Sequence, residues 1–176
     1  MSLLNKLIKN STIKATSALT DSKVYTEQEE TSTPIPAINV AVSGRLDGGF
    51  LPGVTVFAGP SKHFKSSFAL LLAKSYMEKN PESVMLFYDN EFGAPQAYFE
   101  NMGIDMARVA HVPITNIEEL KFDLAKQLSE LTEDEKVIVV VDSVGNLASK
   151  KEAQNALEEN SAADMTRAKE MKSLFR

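Results

Sequence analysis

The sequence contains no cysteine and no tryptophan. Without thiols it can build neither a disulfide framework nor a thiolate metal site. Two histidines give no imidazole cluster. No apolar run approaches the ~20 residues of a membrane helix. The opening "MSLLNKLIKNSTIK" lacks the continuous apolar core and small-residue cleavage site of a secretory signal. These absences lead us to expect a cytoplasmic protein with no membrane partner. An excess of positive charge is missing as well. The net charge is −5, which argues against a uniformly basic nucleic-acid-binding surface. The charge is unevenly spread: residues 1–23 carry +3 and residues 149–176 carry +1, leaving −9 between them. Any nucleic-acid contact is therefore expected near the two ends.

What is present suits one α/β domain. The 176 residues are 43% hydrophobic, enough for a sizeable core. Residues 2–19 read as an amphipathic helix with Leu3, Leu4, Leu7 and Ile8 on one side. Residues 20–36 are polar, and Pro34 and Pro36 mark a linker. Residues 1–36 thus read as an arm that docks on its own domain or on a neighbouring subunit, and 37–176 as the core. Residues 37–53 are glycine-rich and tightly turned. "VTVFA" (54–58) reads as a strand buried on both faces. A helix is expected over Lys65–Lys79, burying Phe68, Leu71, Leu72 and Met77 and stopped by Asn80-Pro81.

Further strands are expected at 84–88, 108–112 and 137–141, the last as the most buried and central. Between them lie a helix over 94–102 ended by Gly103 and one opened by an Asn116/Glu119 capping box. The second buries Ile117, Leu120, Leu124, Leu128 and Leu131. Residues 152–176 read as helical. Alternating strands and helices imply right-handed βαβ units and a mainly parallel sheet with helices on both faces. The chain ends inside a helical pattern, "KEMKSLFR". The reading is therefore of the N-terminal part of a longer protein, incomplete at its C-terminus.

In such sheets ligands bind at the C-terminal strand ends. Three places qualify. "GPSKHFKSS" (Gly59, Pro60, Ser61, Lys62, His63, Phe64, Lys65, Ser66, Ser67) resembles a phosphate-binding loop, with Lys65 for the phosphates and Ser66 for Mg²⁺. Phe64 stands where that pattern has glycine, so an ordinary capped turn is the competing reading. Asp142 ends a β-branched run, as a carboxylate that orients Mg²⁺ does, or as any capping Asp does. Glu91 follows Asp89 past the strand 84–88. It is the better candidate to polarise an attacking water, unless both carboxylates only cap the next helix. Tyr98 is a candidate adenine stacker or a plain surface aromatic. His63 reads as a loop residue and His111 as a core group.

Three segments, "LDGGFLPG…VFAGPSKHFKSS", "LFYDNEFG…AYFENMGID" and "VIVVVDSVGNLASKKE", together resemble the RecA-type recombinases. Within that family they look like the T-even phage branch, where Phe64 becomes a branch marker. The resemblance covers residues 2–176. It implies a RecA-like P-loop NTPase core binding ATP and Mg²⁺. Gly59–Ser67 would be the phosphate loop, with Lys65 on the phosphates, Ser66 and, through water, Asp142 on Mg²⁺, Glu91 activating water and Tyr98 stacking on adenine. A first DNA-binding loop would fall near 155–162, with Arg167, Lys150 and Lys151 as DNA contacts.

The implied function is a DNA-dependent ATPase that forms filaments on single-stranded DNA for recombination and repair, in the bacterial host cytoplasm. Its implied partners are further copies of itself, through the arm, and single-strand-binding and mediator proteins. Two other readings stay open. One is a truncated non-catalytic fragment that binds nucleotide weakly or docks on intact recombinase. The other is a helicase of the same core. The Phe64 ring is expected to turn away from the phosphates while residues 59–66 keep a cradle.

Overall fold

The computed structural model describes residues 2–22, 29–158 and 165–175. Its centre is a three-stranded parallel sheet: β1 (Val84–Asp89), β2 (Val109–Pro113) and β3 (Val137–Asp142), in the order β2-β1-β3. The register aligns the C-terminal strand ends, with Asp89 of β1 opposite Pro113 of β2 and Asp142 of β3. Around the sheet run α1 (Leu3–Asn10), α2 (Pro36–Ser43), α3 (Lys65–Lys79), α4 (Gln96–Met102), α5 (Ile117–Ser129), α6 (Lys150–Leu157) and α7 (Thr166–Leu174). No described helix is long and apolar enough to cross a membrane.

The period-two alternation of a strand divides the core into two layers. Met85, Phe87, Ile138 and Val140 face one way, onto Leu70, Ala73 and Met77 of α3 and Phe99 of α4. Leu86, Tyr88, Val139 and Val141 face the other way, onto Ile117 and Leu120 of α5 and Met171 and Leu174 of α7. The helices on both faces of a parallel sheet therefore agree with the expectation. The Tyr88 hydroxyl, carried into the second layer, donates to Asp123 of α5 at 2.7 Å, so the buried ring leaves no polar atom unpaired.

Five expectations are corrected, besides the burial of Leu128 and Leu131, which are 46% and 36% exposed. Residues 54–58 form no strand: they pair with nothing among the described residues, and Val54 and Val56 are 71% and 73% exposed. A β-branched run takes up strand structure through its neighbours rather than alone, and only Phe57 finds packing, between Phe50 and Phe68. Second, β3 is not the central strand of the described sheet; β1 is, and β3 is mostly half-buried. Third, the buried face of α3 is Leu70, Ala73 and Met77, while Phe68 stays exposed and Leu71 and Leu72 are half-buried. Met77 is buried as expected; before it the stripe runs through 70 and 73, where α3 meets the sheet.

Fourth, the helix expected over 2–19 stops at Asn10, where the Ser11 side chain accepts from the Ile13 N–H and the chain turns out of the helix. Fifth, Pro36 opens a helix instead of marking a linker, taking a first-turn position where no N–H is needed. The segment before it is tied down: Thr31 exchanges backbone hydrogen bonds with Phe50, and buried Asn39 binds Thr33.

Asn116 does cap α5, accepting from the Glu119 N–H at 3.0 Å. The Glu119 carboxylate reaches back to the Thr115 N–H and hydroxyl, one residue before the cap. Those bonds, the Thr115 backbone N–H foremost, hold the Glu119 carboxyl below its ordinary value.

Candidate nucleotide site

The loop before α3 is shaped by two residues in the left-handed region, Lys62 (φ 63°) and Phe64 (φ 57°). Side-chain-bearing residues rarely hold this conformation, and each costs of order 1 kcal/mol or more. Such strain is retained where the surroundings demand it. Phe64 is 71% exposed and supplies no side-chain cap to α3. The first-turn N–H groups of α3 are therefore left without a side-chain partner from their cap. The Lys65 ammonium donates to the Pro60 carbonyl at 2.9 Å, folding back over the loop with two further donors in hand. His63 Nδ1 donates to the Ser61 carbonyl at 2.9 Å. A side chain added at Gly59 would meet nothing within 4 Å, so the loop mouth is open there.

Ser66 and Ser67, in the first turn of α3, tie this loop to the rest of the sheet edge. The Ser66 hydroxyl donates to Asp142 Oδ2 at 2.7 Å, across 76 residues of sequence. Ser67 shares a hydrogen bond with the Tyr98 hydroxyl, bringing α4 to the same helix end. Asp142 is the last residue of β3, beside Asp89.

Burial is the main force that pushes the Asp142 carboxyl above its ordinary value. The Ser66 hydroxyl pulls it back, the Glu91 and Asp89 charges push it up again, and Lys65 pulls it down. A raised folded-state value means that the native state holds this proton more tightly than the unfolded chain. Ionised Asp142 therefore costs stability, a cost that appears as pH rises through the carboxylate range and is fully present at neutral pH. Asp142→Asn keeps an acceptor for Ser66 and removes that charge. It should raise the melting temperature of the ligand-free protein at pH 7 by about 1–3 °C, a small gain because water screens a half-buried group. Calorimetry that shows a lower melting temperature would contradict this.

Glu91 is presented by a tight turn. Asp89 Oδ1 accepts from the N–H of Glu91 at 3.0 Å and of Phe92 at 2.8 Å, and Phe92 takes a left-handed φ of 52°. The turn throws the Glu91 side chain over the end of β3. There Glu91 Oε1 accepts from the Ser143 hydroxyl and from Asn146 Nδ2, both at 2.6 Å. The Ser143 N–H in turn donates to Asn90 Oδ1 at 2.6 Å, and the Asp142–Ser143 peptide is cis. Asp89 also meets His111 Nε2 at 3.3 Å. His111 is exposed and stacks on Phe87, so it is an edge-strand residue, not a core group.

Lys65, Ser66, Ser67, Tyr98, Asp142 and Glu91 thus form one connected edge. Three expected DNA contacts lie outside it. Arg167 donates to the Gly145 carbonyl. The backbone N–H of Lys150 is held by Glu118. Lys151, like Lys150, is exposed. The loop expected near 155–162 begins as the end of α6, and its residues 159–162 lie outside the described residues. Asn146 is a site residue that the sequence did not single out, and Ser143, placed with Asp142 at this strand end, had no role of its own there. The only signal was their place just after the β-branched run, in "DSVGN".

The fit to Mg²⁺ can be tested on Ser66 and Asp142. Among the described residues no group of three or more His, Cys, Asp or Glu could hold a metal ion by itself. A hydroxyl and a carboxylate oxygen 2.7 Å apart match adjacent corners of an octahedron with Mg–O of 2.0–2.1 Å, which are about 2.9 Å apart. Both are hard oxygen donors, and the remaining corners are left to water and phosphate. The residues fit the ion.

The fold is that of an α/β protein in which a loop and a helix N-terminus meet an aspartate and a glutamate at one sheet edge. No family model matches the chain. Over 174 residues it is 51% identical to the "Recombination and repair protein" of Enterobacteria phage T4, a match that covers 99% of this chain and 44% of that protein. The chain therefore spans less than half the length of this relative.

Proposed function

We propose that this chain carries the nucleotide site of a phage recombination and repair ATPase of the RecA type, similar to the T-even recombinases. The observation that carries the proposal is the Ser66–Asp142 hydrogen bond. It puts a hydroxyl at a helix N-terminus and a strand-end carboxylate in one place, beside Lys65 and within reach of the Glu91 turn. The name of the T4 relative supports the biological setting.

In this reading the α3 N–H groups and Lys65 bind and orient the phosphates of ATP. Ser66 and Asp142 hold Mg²⁺, which when bound neutralises charge on the transferred phosphoryl group. Tyr98, anchored through Ser67, sits beside the base. Glu91 orients a water and takes its proton as the water oxygen bonds to the γ-phosphorus. The bond to the bridging oxygen breaks and ADP leaves. Single-stranded DNA would be held mainly through its backbone, by a filament of copies in the host cytoplasm. Single-strand-binding and mediator proteins are its further proposed partners.

Phosphate release from ATP by the intact protein, with and without single-stranded DNA, tests this. The expected result is Mg²⁺-dependent hydrolysis that DNA stimulates. Absence of hydrolysis under both conditions would overturn the assignment.

A further inference from the structure

Glu91 does not stand free. Both donors on its Oε1 come from one short turn, residues 143–146, which leaves β3 at Asp142. Two short hydrogen bonds on one carboxylate oxygen fix where the side chain sits, so Glu91 is held against this turn. The same turn has a third restraint from outside: Arg167 of α7 donates its Nη2 to the Gly145 carbonyl. So a guanidinium on α7, a backbone carbonyl, and the two side chains that hold Glu91 lie on one continuous path. The Gly145 carbonyl is a neutral acceptor for this charge. A phosphate oxygen binds a guanidinium far better than a carbonyl does, through charge-assisted and often bidentate bonds.

We propose that Asn146 and Ser143 are positioning residues that latch Glu91 in the resting state, and that Arg167 keeps the latch shut through Gly145. A phosphate of the bound polynucleotide takes Arg167, the 143–146 turn loses its outside restraint, and Glu91 is released to the water. This rests on the ATPase reading above and specifies how DNA would control it. The mechanism needs two discrete arrangements of one short turn, with the polynucleotide favouring the open one. Asn146 and Gly145 are exposed, so substitution at Asn146 removes a donor without opening the core.

The test compares wild type, Asn146→Ala, Arg167→Ala and the double variant as intact proteins. Steady-state ATP hydrolysis is measured with and without single-stranded DNA. Asn146→Ala should raise the DNA-free kcat by about tenfold, the equivalent of one hydrogen bond to a charged group, with KM for ATP unchanged. Its stimulation by DNA should shrink by the same factor. Asn146→Ser, which keeps a donor, should restore low DNA-free activity. Arg167→Ala should also raise the DNA-free rate. The double variant should rise no further than Asn146→Ala alone, because both act on one latch.

An unchanged or lower DNA-free rate in Asn146→Ala would overturn the latch. Additive effects in the double variant would overturn the role of Arg167 in it. If wild type hydrolyses no ATP at all, the ATPase reading itself fails, an outcome distinct from both.

Discussion

Replacing Glu91 by glutamine is expected to slow ATP hydrolysis by about two to four orders of magnitude while leaving Mg·ATP binding intact. Glutamine has the same length, and its Oε1 can still accept from Ser143 and Asn146, so the local network at 2.6 Å survives. What is lost is the negative charge and the ability to take a proton. Binding is spared because Glu91 reaches the site from the β1 turn, apart from the α3 loop and the Ser66–Asp142 pair. Single-turnover hydrolysis with a parallel binding titration separates the two effects. A Glu91→Gln variant that hydrolyses as fast as wild type would move water activation to another residue.

Truncating Leu70 should unsettle both the fold and the site. Leu70 is 1% exposed and lies between α3 and the sheet residues Met85, Phe87 and Val140. Leu70→Ala leaves a cavity in this layer and should cost about 3 kcal/mol, a fall in melting temperature of roughly 6–12 °C for a chain of this size. Phe68, two residues earlier, is the contrast. The helical pattern placed it on the buried side, yet it is 39% exposed and its main ring contact is Phe57, 6.2 Å away. Phe68→Ala should cost about 1 kcal/mol. Thermal melts of the two variants side by side decide the matter, and equal losses would contradict the face assigned to α3. Because α3 starts at Lys65, the Leu70 variant should also bind nucleotide more weakly.

Local chemistry made much of this readable. The strands β1, β2 and β3 were visible as apolar runs, and Gly103 (φ 73°) and Asn116 end and begin helices as their residue types suggest. The order of the Lys65 loop, Glu91 and Asp142 followed from motifs, because strand ends of a parallel sheet share one edge. Long-range facts were not readable. A run such as "VTVFA" carries strand propensity, but whether it pairs depends on what lies beside it.

Arg108 gave no hint of its part. Its guanidinium donates to the carbonyls of Met77, Asn80 and Ser83 at 2.6–3.2 Å, binding the C-terminal end of α3 where carbonyls lack helical partners. The contacts of Glu91 with Ser143 and Asn146 span more than fifty residues, and no spacing rule foretells them. Phe64 was the hardest residue to read. As the one departure from the glycine pattern it argued against a phosphate loop, yet the backbone there takes the left-handed turn that glycine would take.

Titration of Mg·ATP into the intact protein, beside its Lys65→Ala variant, tests the nucleotide site most directly. One saturable, Mg²⁺-dependent site in wild type, lost or weakened at least about tenfold in Lys65→Ala by removal of one charged phosphate contact, is the predicted result. No binding by wild type, or equal binding by both proteins, would contradict it.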